Sequence, residues 1–192
     1  MVLKYLGTAA DVGDKMQKYA RVERERRYLL RELPPGLLLT DFHTQLFDNY
    51  ITNTRLRLRK VRVPAKREWT FKLTQKFALD PTDLSRTFIT NIYLTQPEYE
   101  VLAVFEANEI RKNRYPYEHE GRRYSVDVFL GALHGLILAE TDFDTDEELR
   151  AFTTPPPFAA FDVTQDELFT GGRLVHLTAD EIREELRRRV PA

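Results

Sequence analysis

The stretch Val-Glu-Arg-Glu-Arg-Arg-Tyr-Leu-Leu at residues 22–30 decides how this chain is read. Strand-like alternation begins near Arg21, and on a strand side chains two apart share a face, so Glu23, Glu25 and Arg27 point one way. The same rule groups Arg55, Arg57 and Arg59, then Lys112 with Arg114, Ser125 with Asp127, and Glu140 with Asp142. Opposite them stand apolar or mixed residues: Leu56, Leu58, Trp69, Phe71, Leu73, Val126, Val128, Leu138, Thr141 and Phe143. Lys72, between apolar neighbours, joins the charged face.

A solvated face of an amphipathic sheet is the plain alternative. Solvated faces, however, usually mix both signs, whereas these strands segregate. Positions 55–59, 72 and 112–114 are basic, and positions 23–25, 127 and 140–142 are acidic. Closed into a barrel with this face inward, one wall is cationic and another anionic, which is costly without counter-charges. A polyanion on the basic wall and divalent cations on the acidic wall would relieve both. Hard cations take carboxylate and phosphate oxygens, and arginine and lysine donate to phosphate.

The 192 residues fit one domain, or one plus an appendage. A formal charge of −1 gives no support to a globally basic nucleic-acid binder, and 42% hydrophobic residues suffice for a core. With no cysteine, disulfides, thiolate metal sites and cysteine nucleophiles are excluded. No apolar run approaches the roughly 20 residues that span a bilayer, and the first twenty residues lack a signal-peptide core, so a cytoplasmic protein is expected.

Strands are expected at Arg55–Val63, Trp69–Gln75, Arg86–Leu94, Ile110–Tyr117, Tyr124–Leu130 and Leu136–Phe143, besides the one from Arg21. Turn chemistry separates them at Pro34-Pro35-Gly36, Asp80-Pro81-Thr82 and Glu120-Gly121. Thr95/Glu98, Thr164/Glu167 and Thr178/Glu181 read as capping boxes that start helices. The first opens about ten residues with Tyr99, Leu102, Ala103 and Phe105 toward the core, and the last opens Ala179–Val190. A short helix is expected from Asp146 to Phe152, stopped by three prolines. Strand exceeds helix, so the class is α+β built on an antiparallel sheet.

The motifs resemble those of the CYTH domain, or triphosphate tunnel metalloenzyme, superfamily. Residues 22–30 resemble its Glu-x-Glu-x-Lys opening. The likeness continues through Arg-Leu-Arg-Leu-Arg (55–59), Trp-Thr-Phe-Lys (69–72), Arg-Lys-Asn-Arg-Tyr (111–115), Ser-Val-Asp-Val-Phe-Leu-Gly (125–131), Leu-Ala-Glu-Thr-Asp-Phe (138–143) and 151–164. The six motifs up to residue 143, in order, are specific where each alone is weak. The resemblance implies an eight-stranded antiparallel β-barrel with a few flanking helices. It spans residues 21–170, with an N-terminal extension at 1–20 and a C-terminal helical appendage at 171–192. It implies hydrolysis of a linear triphosphate, inorganic tripolyphosphate first, with Mg²⁺ or Mn²⁺ as cofactor. Glu23, Glu25 and Arg27 would be catalytic. Arg57, Arg59, Lys72, Lys112 and Arg114 would bind substrate, and Glu23, Glu25, Asp127, Glu140 and Asp142 would hold metal.

Four departures bear on activity. Arg27 stands where the family has lysine, and Asp142 where it has glutamate. The strand Arg86-Thr-Phe-Ile-Thr-Asn-Ile carries no carboxylate pair, and Glu167–Arg173 lacks the closing lysine and tyrosine, leaving Arg173 as the substitute. A non-catalytic polyphosphate-binding tunnel therefore stays open as an alternative, as does a nucleoside triphosphatase or adenylate cyclase. The basic run 55–67 has only Trp69 beside it, which disfavours nucleic acid. His43, His119, His134 and His176 lack metal-ligand spacing. No P-loop, dinucleotide fingerprint or serine elbow appears. A membrane partner is not expected, and homodimerisation stays open.

Overall fold

The computed structural model describes residues 20–189. Eight long strands carry the fold: β1 (Arg21–Leu29), β2 (Thr44–Ile51), β3 (Leu56–Val63), β4 (Glu68–Asp80), β5 (Asp83–Leu94), β6 (Ala107–His119), β7 (Arg122–Leu130) and β8 (Ile137–Asp142). A two-residue β9 (Phe161–Asp162) pairs with Tyr28 and Leu29 at the end of β1. Every pairing is antiparallel, in the order β5-β4-β3-β2-β6-β7-β8-β1.

The sheet closes because β1 serves two neighbours. Its first half, Arg21 to Arg24, pairs with β5, and its second half, Glu25 to Leu29, pairs with β8. Closure removes free sheet edges and divides each strand's side chains into inner and outer sets. The hairpins follow local turn chemistry. Glu120 and Gly121 both take positive φ, at 50° and 74°, as a two-residue turn between twisted strands requires. Between β4 and β5, Asp80 accepts hydrogen bonds from the Thr82 amide and hydroxyl at 2.8 and 2.7 Å.

Two apolar clusters hold the barrel. One coats its outside, where Tyr28, Tyr115, Tyr124, Val126 and Ala139 meet Leu30 and Leu37. The loop between β1 and β2 is tied down there, with the Tyr115 and Tyr117 hydroxyls donating to the carbonyls of Leu39 and Pro35, each at 3.1 Å. The other cluster closes one end. Leu29, Ile110, Phe129 and Leu138 point inward from four strands and pack on Phe169, Leu174 and Ile182 of the C-terminal segment. That segment runs through helices Gly171–Leu174 and Ala179–Arg189.

Several expectations are corrected. Thr44–Ile51 is a full strand that was not expected, because polar residues interrupt both its faces. β4 and β6 run to 13 residues each, longer than their apolar cores suggested. The helix after Thr95 is Gln96–Leu102, seven residues, and Phe105 is 55% exposed beyond its end rather than buried. Thr164 starts no helix: its hydroxyl accepts from the Arg27 amide at 3.0 Å, and only a 3₁₀ turn at Glu167–Phe169 follows. Leu138 belongs to the inner face, where the closed end is apolar, and Arg55 precedes β3 and lies over the Phe77 ring. Residues 1–19 of the expected extension, and Val190 of the last helix, lie outside the described residues.

Candidate functional site: a charged tunnel closed at one end

Charged side chains line the barrel from the apolar plug to the opposite mouth. From β1 come Glu23, Glu25 and Arg27; from β3, Arg57 and Arg59; from β4, Lys72 and Lys76. β6 adds Lys112 and Arg114, β7 adds Asp127, and β8 adds Glu140 and Asp142. Every residue expected to bind substrate or metal therefore faces one space. The mouth is a cavity of about 900 Å³ whose walls include Thr44, Arg114, Ser125, Glu140 and Asp142.

The charges do not stay on separate walls as expected, because they pair across strands. Arg27 donates to Glu25, to Glu140 Oε1 at 3.1 Å and to the Phe169 carbonyl at 3.1 Å, which ties the β1 cation to the C-terminal plug. Arg114 reaches both oxygens of Asp127 and Glu140 Oε2, each at 2.6 Å. Lys112 donates to Asp127 at 2.5 Å, so this fully buried carboxylate is saturated by two cations. Lys76 bridges Glu23 at 2.6 Å and Glu25 at 3.2 Å. Against the effect of burial, Arg114, Lys112 and Arg27 hold the Glu140 carboxyl well below its ordinary value.

Two groups are left over. Among the described residues neither Lys72 nor Asp142 has an ion-pair partner. Burial, with Arg59 and Arg57 close by, brings the Lys72 ammonium down to about 8. Burial, with Glu23, Glu25 and Glu140 nearby, raises Asp142 to about 6. The tunnel thus has one cation lacking an anion and one carboxylate lacking a cation. Among the described residues no three carboxylate or histidine side chains stand close enough together to hold one metal ion. The donors nevertheless suit a hard cation, since they are all oxygens and Asp142 is raised by negative charge that a cation would offset.

Sequence reading missed Asp48, Tyr50 and Lys76. Asp48 is buried on β2 and accepts from Arg59 Nε and from Arg59 Nη2 at 2.6 Å. Tyr50 lies beside Arg57 and packs on the plug. Lys76 could have been found by carrying the two-residue period on from Lys72 through Thr74. The inner side of β5 carries Ser85, Thr87, Ile89 and Asn91, so the expected lack of carboxylates there holds on the face that matters. Arg173 is exposed and does not replace the missing closing residues.

An α+β barrel with an acid- and arginine-lined interior, plugged at one end, has counterparts among solved structures. The crystal structure of the inorganic triphosphatase NE1496 superposes with a TM-score of 0.52 at 25% identity, over 80% of this chain and 93% of that one. This is the triphosphate tunnel fold. A second structure, of the hypothetical protein NE1496, aligns at a TM-score of 0.54 and 24% identity over 81% of this chain and 99% of that one. By sequence, the tunnel chain is 28% identical over 153 residues to an inorganic triphosphatase of Nitrosomonas europaea, covering 77% of this chain and 92% of that protein. It is 33% identical over 96 residues to an inorganic triphosphatase of Acetivibrio thermocellus, covering 45% and 59%. No family model matches the chain.

Proposed function

We propose that this tunnel hydrolyses a linear triphosphate, inorganic tripolyphosphate first, with a divalent cation bound at its acidic side. The observation that carries the reading is the near-neutral set of buried charges. The cations Arg27, Arg57, Arg59, Lys72, Lys76, Lys112 and Arg114 face the carboxylates Glu23, Glu25, Asp48, Asp127, Glu140 and Asp142. A bare triphosphate, bringing about four negative charges, would leave that set heavily anionic in a poorly solvated space. Entry together with divalent cations restores balance. The names of the two sequence relatives support the same substrate.

The residues then divide by charge and place. Lys72, Arg57, Lys112 and Arg114 offer donors to phosphate oxygens, Arg57 and Arg114 through planar forks. Glu23, Glu25, Glu140 and Asp142 would hold the cation, which when bound supplies charge neutralisation and an acidified water. Asp127, held by Lys112 and Arg114, serves as their counter-ion rather than as a ligand. Arg27 links the metal carboxylates Glu25 and Glu140 and fixes them against the plug. Phosphoryl transfer needs positioning and charge stabilisation and no protein nucleophile, which suits a site without serine or histidine chemistry.

The test is phosphate release from tripolyphosphate, with ATP and pyrophosphate alongside, in Mg²⁺, Mn²⁺ or chelator. Cation-dependent release from tripolyphosphate, lost in Glu23→Gln and Glu140→Gln, is expected. The uncharged inner face of β5 favours a second reading, a tunnel that binds without turning over. Tripolyphosphate that raises the melting temperature while no phosphate is released would establish that reading instead.

A further inference from the structure

Asp48 is an acid set into the basic wall, 2% exposed, on the strand the sequence conceals. Both its oxygens are committed to Arg59. Arg57 stands behind: its Nε is 3.7 Å from Asp48 Oδ1, beyond hydrogen-bond length, and this buried N–H has no acceptor. A buried donor without a hydrogen-bond partner is uncommon in native proteins, and it leaves the Arg57 guanidinium less committed than that of Arg59. We propose that Asp48 is the positioning residue of the phosphate site: it holds Arg59 as a fixed internal pair and so leaves Arg57 and Lys72, of the three cations around it on β3 and β4, to take ligand oxygens beside Lys112 and Arg114. This rests on the triphosphatase reading, because it assigns roles within that tunnel's basic wall.

The division follows from what each contact would cost. A phosphate that drew Arg59 away would break two hydrogen bonds to a buried carboxylate, whereas Lys72 has no ion pair to lose and Arg57 only its 3.7 Å approach to Asp48. Asp48 also limits repulsion. Lys72 faces Arg57 and Arg59 from β3, Asp48 from β2 and Arg114 from β6, with the uncharged Tyr93 across on β5. Of these only Asp48 is an acid. The Lys72 ammonium, already down to about 8, depends on Asp48 to stay protonated near neutral pH, while Arg59 pushes it the other way.

Asp48→Asn and Arg59→Gln should therefore move Lys72 in opposite directions. The experiment follows the Lys72 ¹³Cε resonance from pH 6 to 10 in the full chain, assigned with Lys72→Arg, beside tripolyphosphate affinity over the same range. The wild type should titrate near 8 and lose affinity through it. Asp48→Asn should do both about one unit lower, with kcat reduced roughly tenfold and affinity at pH 6 undiminished, and Arg59→Gln should titrate about one unit higher. Asp48→Glu, which keeps the charge, should hold the wild-type midpoint and carries the comparison with Arg59→Gln if Asp48→Asn does not fold. Opposite shifts show that both charges act on Lys72, and a reduced kcat with undiminished affinity at pH 6 marks positioning; a common midpoint in all the folded variants, or a kcat that does not fall in Asp48→Asn, overturns the assignment. If tripolyphosphate binds the wild type and the midpoints coincide, only the role of Asp48 falls. A wild type that never binds tripolyphosphate overturns the triphosphatase reading and this assignment together.

Discussion

Replacing Gly171 with alanine tests whether the C-terminal plug and the basic wall are one packed unit. Gly171 opens a short helix directly over Tyr50, and a Cβ there would stand 2.8 Å from Tyr50 Cζ and closer still to its hydroxyl. Two effects oppose one another. Alanine at an unstrained helical position stabilises by about 0.4–1 kcal/mol, chiefly by restricting the unfolded chain. Against that, carbon atoms rest near about 3.5–4.0 Å, so the ring must retreat by at least roughly 0.7 Å into neighbours that are already packed. Overpacking of this kind costs about 1–3 kcal/mol. The clash wins, and the net loss is about 1–2 kcal/mol. In a domain of this size that lowers the melting temperature by about 2–8 °C. Urea and thermal unfolding measure it directly, and Tyr50→Phe, which deletes the nearest atom, should relieve part of the loss in a double-mutant cycle. Because Tyr50 also stands beside Arg57, displacing its ring should lower tripolyphosphate affinity along with stability. Unchanged or raised stability in Gly171→Ala, or an equal loss in the Tyr50→Phe background, would refute the packing argument.

Ile182 is fully buried in the closing cluster, so Ile182→Ala should cost about 2–5 kcal/mol by urea unfolding; a loss under about 1 kcal/mol would mean the last helix does not fold with the barrel. Asp142 binds its proton more tightly folded than unfolded, so the metal-free protein should lose stability as pH rises from about 4 to about 6; Asp142→Asn should flatten that slope over the same range, and parallel curves would remove the like-charge account. Lys72 near 8 predicts proton uptake when a polyanion binds. Calorimetry at pH 8 in two buffers of different ionisation enthalpy should give different apparent enthalpies of tripolyphosphate binding, and Lys72→Arg should abolish the difference.

The fold was legible where a strand keeps its charge on one face. Glu23, Glu25 and Arg27 in β1, Arg57 and Arg59 in β3, Ser125 and Asp127 in β7, and Glu140 and Asp142 in β8 recur at every second position, and these inward residues face one space as the two-residue period requires. β2 was not legible because its inner face runs Leu46, Asp48, Tyr50 and its outer face Gln45, Phe47, Asn49, each mixing polar and apolar groups. That mixture has a cause in the fold. The inner side of β2 passes from the charged tunnel, through Asp48, to the plug that Tyr50 meets, so no single polarity suits it. The same gradient explains Leu138, whose inward position is apolar only because it lies at the closed end.

That the charged residues share one interior was legible for all but Asp48 and Lys76, but their pairing was not. Segregation by strand suggested two walls waiting for two ligands, and sequence spacing cannot show that Arg27 and Arg114 cross between strands to meet Glu140. The distinction matters for how the tunnel stays folded without ligand. Seven like charges in a closed barrel would oppose folding, whereas interleaved pairs let the empty barrel exist and leave little net charge to be matched by substrate and metal together. What stays unpaired then marks where binding begins. Lys72 would meet an anion and Asp142 a cation, and these are the tunnel charges without an ion-pair partner among the described residues, with Arg57 Nε beside them lacking a hydrogen bond. On the triphosphatase reading, a tunnel balanced in this way would admit a triphosphate and its counter-cations as one neutral guest, so binding would depend on both being present.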